Sequence, residues 1–129
     1  MLKLLLVSNG GESLFDFDRA LKEMDDVETL HALSGEKALE MIKDDIIDLV
    51  VTDEDVGDMS GLSFVRKLIS FNPMINCVAV SSLSEKDFHE ASEGLGLMNH
   101  LPVNPGKTEA KKLIQSLRHI MGLESIKIK

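Results

Sequence analysis

Short, unbroken apolar runs alternate with amphipathic stretches along this chain, and that alternation constrains the fold more than any other feature. Leu2–Val7 (LKLLLV), Asp48–Thr52 (DLVVT) and Cys77–Val80 (CVAV) carry almost no polar residue. A strand reads this way when helices cover both of its faces. Val27–Leu33 (VETLHAL) is more mixed and fits a strand near a sheet edge. His100–Val103 (HLPV) is a fifth short strand, and Pro102 within it removes a ladder donor, which suits an edge. Helical spacing fills the gaps. Ser13 precedes Leu14, Phe15, Phe17, Leu21 and Met24 on one face, and Ser34–Lys43 turns Ala38, Leu39 and Ile42 inward. Gly61–Phe71 is helical through Leu62, Val65, Leu68 and Ile69, and Asn72-Pro73 stops it. Ser84 caps a helix running to about Ser92, and Thr108–Met121 closes the chain, with Gly122 just past its end. Five strands alternating with five helices over short connections require right-handed crossovers. The expected fold is α/β, a doubly wound five-stranded parallel sheet with helices on both faces.

Length allows one such unit and no second. The chain has 129 residues, read here as a domain over 1–122 and a C-terminal tail over 123–129. An apolar share of 43% is enough to build a core rather than a disordered chain. The net charge of −8 argues against nucleic acid or anionic membrane as a partner of this domain. Its longest apolar runs are too short to span a bilayer, and no leader pattern precedes them, so a cytoplasmic protein is expected. The lone Cys77 lies inside a strand run and reads as a buried, inert thiol. Histidines 31, 89, 100 and 119 are scattered without ligand spacing, and no metal is assigned to them. No nucleophilic triad, zinc motif, phosphate-binding loop of the Walker type or dinucleotide fingerprint is present, so the domain is not expected to be an independent enzyme.

In a sheet of this kind, chemistry gathers at the carboxyl ends of the strands, where strand order reverses. The first strand delivers Ser8 and Asn9, the third Asp53, Glu54 and Asp55, the fourth Ser81 and Ser82, and the fifth Asn104 and Pro105. Asp53 either serves a site or caps the turn that follows it. Ser81 and Ser82 either take part or merely satisfy backbone groups. Glu54, Asp55 and Asp58 read as a solvated acidic loop.

Asp48–Gly61 (DLVVTDEDVGDMSG) resembles the signature of response-regulator receiver domains: a buried strand ending in an aspartate, then a turn closing in Met-Ser-Gly. SGEKALEMIK, CVAVSS and LMNHLPVNP resemble the family's second helix, fourth strand and fifth strand. The likeness runs from residue 3 to about 121. It implies a flavodoxin-like sheet of order 2-1-3-4-5 in two-component phosphorelay signalling. It also implies that Asp53 is the phospho-acceptor and Ser81 the switch hydroxyl that follows the phosphoryl group. A sensor histidine kinase or other signalling protein would be the upstream partner. The face of helix 4, strand 5 and helix 5 would meet the output partner.

Several positions depart from that pattern. The family holds Mg²⁺ with two acids after strand one, the acceptor aspartate and a backbone carbonyl, and balances charge with a lysine after strand five. Here the acids fall on Ser8 and Asn9, the lysine on Asn104, and the aromatic switch position on Leu101. Asn9, Asp53 and Asp55 are the weak Mg²⁺ candidates, because that ion prefers charged oxygens. Each missing charge-assisted contact to a phosphoryl group costs about 1.5–3 kcal/mol. Losing three would slow phosphotransfer by several powers of ten, the profile of a pseudo-receiver. Two readings therefore stand: a phosphorylation-controlled receiver with an incomplete site, and a phosphorylation-independent interaction module. A remote third is a flavodoxin-like binder of a phosphate-containing small molecule on the loop Ser8–Ser13. The absence of Trp and Tyr and the charge of Glu12 weigh against it.

Overall fold

The computed structural model describes residues 1–122, and the expected tail over 123–129 lies outside them. Strands β1 (Leu2–Val7), β2 (Val27–Ala32), β3 (Leu49–Thr52), β4 (Cys77–Val80) and β5 (Asn99–Leu101) alternate with helices. These are α1 (Phe15–Lys22), α2 (Gly35–Asp44), α3 (Gly61–Phe71), α4 (Glu85–Ala91) and α5 (Lys107–Ile120). The strands form one sheet of order β2-β1-β3-β4-β5, with every pair parallel.

Alternation along the strands explains the two cores, since neighbouring residues point to opposite faces. Leu4, Leu6, Leu49, Val51, Val78, Val80 and Leu101 pack under α1 and α5 against Phe17, Leu21, Leu113 and Leu117. Leu5, Val7, Val50 and Cys77 pack under α2 and α3 against Ala38, Ile42, Phe64 and Leu68. Cys77 is buried, and burial pushes its thiol up to about 12, so no thiolate is available for chemistry. Serines open three of the helices. Ser34, Ser60 and Ser84 accept from the amides of Lys37, Ser63 and Asp87 at 3.0, 3.1 and 3.1 Å.

Three local expectations are corrected. Helix α1 begins after Leu14 with no side-chain cap, because the Ser13 hydroxyl is turned toward the sheet. Phe15, expected on the inner face, is 56% exposed; the first turn is rotated so that Leu14 and Phe17 go inward. Strand β5 ends at Leu101, so Pro102 and Val103 lie past the ladder rather than in it. Proline after the last paired residue sacrifices no sheet hydrogen bond.

Candidate functional site

Register brings the strand ends level. Val7 pairs with Thr52, Thr52 with Ala79, and Val80 with Leu101. The residues leaving β1, β3 and β4 therefore share one rim, at the inter-strand spacing of about 4.8 Å. Asp53 sits at its centre. Its amide donates to Val7 O at 2.9 Å, and the residue is only 9% exposed. Both carboxylate oxygens are engaged: the Ser13 hydroxyl donates to Oδ2, and the Glu54 amide donates to Oδ1 at 2.7 Å. Each of these donors is neutral. Behind Asp53, the first residue of α3 passes so close that a Cβ on Gly61 would lie 2.2 Å from the Asp53 carbonyl oxygen. Only glycine admits that approach.

Glu54 is exposed, as the turn's composition suggests, yet one of its oxygens is held. Its Oε2 accepts from the Ser82 amide at 2.8 Å, the Ser82 hydroxyl at 2.8 Å and the Ser81 hydroxyl at 3.3 Å. The Ser82 amide, helped by the two hydroxyls and by His100 nearby, holds the Glu54 carboxyl below its ordinary pKa despite partial desolvation. Asp58 likewise has a structural partner. It accepts from the amides of Gly35 and Glu36 at the start of α2, and the Gly35 bond leads in lowering its pKa. Asp55 Oδ1 accepts from Gly57 N at 2.8 Å, which closes its own turn.

On the β1 side, Ser8 Oγ accepts from Gly10 N at 3.2 Å, and Asn9 Oδ1 from Gly11 N at 2.9 Å. The glycine amides that a phosphate would need are thus held by the loop's own side chains. Asn104 is exposed, at a φ of 52° that asparagine tolerates better than most residues. Mg²⁺ fits this donor set poorly. Asp53 supplies one carboxylate, while Asn9 Oδ1 and one of the two Asp55 oxygens accept from backbone amides. Among the described residues, no group of three or more His, Cys, Asp or Glu side chains is placed to hold a metal.

The β5 side requires another correction. Leu101 is 3% exposed and belongs to the α1/α5 core, so it does not face the switch side of the sheet. The ring on the opposite face is His100. It stacks on Phe88 of α4 with centroids 4.0 Å apart and planes at 10°, and its Nε2 lies 3.1 Å from Ser81 O. Strand-end reading omitted Ser13, the role of Glu54, and His100. Ser13 carried a signal that pointed elsewhere, toward a helix cap. Parity relative to Leu101, an apolar core residue, would have placed His100 on the α4 face.

Comparison with known proteins agrees with this geometry. The family model for the response regulator receiver domain matches residues 5–115. No curated protein matches the chain significantly in sequence. Among solved structures, a CheY-like receiver domain protein from Methanospirillum hungatei superposes with a TM-score of 0.80 at 16% identity, covering 95% of this chain and 98% of that one. A CheY-like receiver domain from Methylobacillus flagellatus gives 0.77 at 22% identity, covering 91% and 98%. A chemotaxis response regulator of Vibrio cholerae gives 0.79 at 18%, covering 91% and 98%.

Proposed function

Because the chain belongs to the response regulator receiver domain family, we propose that it works in two-component phosphorelay signalling with Asp53 as phospho-acceptor in an incomplete centre. The observation that carries this reading is the Asp53 carboxylate itself. It stands nearly buried at the end of β3, and the hydrogen bonds it accepts come from neutral donors. Transfer of a phosphoryl group to an aspartate oxygen needs an in-line approach and neutralisation of the equatorial oxygens. Here Ser8, Asn9 and Asn104 stand where charged groups would do that work. Three lost charge-assisted contacts at about 1.5–3 kcal/mol each slow the step by roughly three to six powers of ten. Upstream, the partner is a sensor histidine kinase or another signalling protein. Output runs through the surface of α4, β5 and α5, where Leu83, Pro102 and Val103 border an open groove beside Ser81 and His100. Among the described residues no helix is long and apolar enough to cross a membrane, and we place the protein in the cytoplasm.

A second reading, signalling by contact without phosphorylation, is favoured by the hold of Glu54 on both switch-side serines. Intact-mass analysis after incubation with acetyl phosphate and Mg²⁺ tests the acceptor and the missing charges together. The parent is expected to label poorly. The triple variant Ser8→Asp, Asn9→Asp, Asn104→Lys is expected to label readily, and to lose the label with Asp53→Asn. Equal labelling of parent and triple variant would overturn the incomplete-centre reading.

A further inference from the structure

Three donors from two consecutive residues converge on a single carboxylate oxygen. Ser82 N, Ser82 Oγ and Ser81 Oγ all reach Glu54 Oε2, at 2.8, 2.8 and 3.3 Å. A hydroxyl, a second hydroxyl and a backbone amide aimed at one point form a seat for an oxyanion. The seat adjoins Asp53: Thr52 pairs with Ala79, so Asp53 lies level with Val80, one residue before Ser81. Beyond Ser13 and the Glu54 amide, which hold the Asp53 oxygens, this donor set stands at the next strand end along the rim. The seat already holds an anion, supplied by the next residue in the chain.

We propose that Glu54 is an intramolecular latch, a built-in anion that keeps the β4–α4 loop in its anion-bound arrangement with no phosphoryl group present. The inference rests on the receiver reading only in taking Asp53 as the natural source of a competing anion. Three further contacts extend the latch to the neighbouring elements. Ser81 Oγ also accepts from Leu83 N at 3.1 Å, and Ser81 O contacts His100 Nε2. His100 in turn stacks on Phe88, the buried residue of α4. The carboxylate therefore fixes the loop, the loop positions the ring, and the ring seats the helix.

Amide hydrogen exchange of the full chain, with Glu54→Ala beside the parent, tests the latch. In the variant, the Ser82 and Leu83 amides should exchange about tenfold faster or more, while Val50 in β3 keeps the parent rate and reports an intact fold. Adding inorganic phosphate at about 100 mM should slow Ser82 exchange again in the variant and leave the parent unchanged. A second variant of the same shape guards against a misfolded one. Glu54→Gln keeps the side chain's size without its charge and should also speed Ser82 exchange, with Val50 unchanged. Unchanged Ser82 exchange in Glu54→Ala and in Glu54→Gln overturns the latch. So does a phosphate response in the parent equal to that of the variant. None of these readouts depends on whether Asp53 accepts phosphate, so rapid labelling of the parent would sink the incomplete-centre reading and leave the latch standing.

Discussion

A single methyl group at Gly61 measures how tightly the rim is built. The Cβ of Gly61→Ala would sit 2.2 Å from the Asp53 carbonyl oxygen and 3.1 Å from Thr52 Oγ1, so the start of α3 and the end of β3 must part. The expected cost is about 1–3 kcal/mol in urea unfolding, with amide shifts concentrated at Asp53, Glu54 and Gly61. A variant as stable as the parent, with unmoved Asp53 resonances, would contradict the close approach. At this scale legibility was uneven, for a physical reason. Asp53 was readable because burying a charge at the end of an apolar strand is costly, and a chain seldom bears that cost without a use for the charge. Glu54 was not: its destination depends on Ser81 and Ser82, 27 and 28 residues away, and local composition says only that an acidic turn is solvated.

Between elements, the closing helix is tied back to the turn before β2. Arg118 near the end of α5 makes a two-pronged contact with Asp26, at 2.6 Å from Nη2 and 3.1 Å from Nε. The Arg118 hydrogen bond outweighs desolvation and lowers the Asp26 pKa. A carboxyl whose folded pKa is depressed adds stability that is present above its unfolded pKa and lost as pH falls through the folded value. For Asp26 that loss falls below about pH 4. Because the Asp26 side chain is 51% exposed, the pair is worth only about 0.2–1 kcal/mol. Arg118→Ala should therefore lower urea stability by that amount at about pH 7, with the gap closing near pH 2 and narrowing in high salt. A gap independent of pH would assign the loss to packing of the arginine stem instead. Element type and order were legible throughout, because period 2 and period 3.6 are set by backbone geometry. Ends were less so. The sequence pattern carries β5 through Pro102 and Val103, while the chain leaves the ladder at Leu101, one residue before the proline that has no amide to donate.

For the whole molecule, the parallel sheet and the two-sided core were legible because βα alternation admits few topologies, while the strand order followed from the resemblance to receiver domains. The working state of the site was not, since it turns on which of several polar side chains face one another. Metal response is the property that reports on the assembled rim. With Asn9 Oδ1 and one Asp55 oxygen engaged by backbone amides, Mg²⁺ is expected to bind at several millimolar or weaker. A ligand at or below its dissociation constant adds at most about RT ln 2, roughly 0.4 kcal/mol. About 1 mM Mg²⁺ should therefore raise the melting temperature by less than about 3 °C. A larger rise, removed by Asp53→Asn, would show that the turn opens to give the ion a second charged ligand.

The pairing of Asp53 with Ser13 and with the Glu54 amide has a consequence for how freely the surrounding sequence can vary. Carboxylates crowded at one rim without a counter-ion repel one another, and a fold that keeps them for activity carries that burden in its folded state. Here Asp53 is held by neutral donors, Glu54 by the serines after β4, and Asp58 by the start of α2. With Ser8 and Asn9 where two further acids would stand, the rim has two fewer charges to hold apart, and substitutions in the core should be better tolerated than in a more charge-crowded relative.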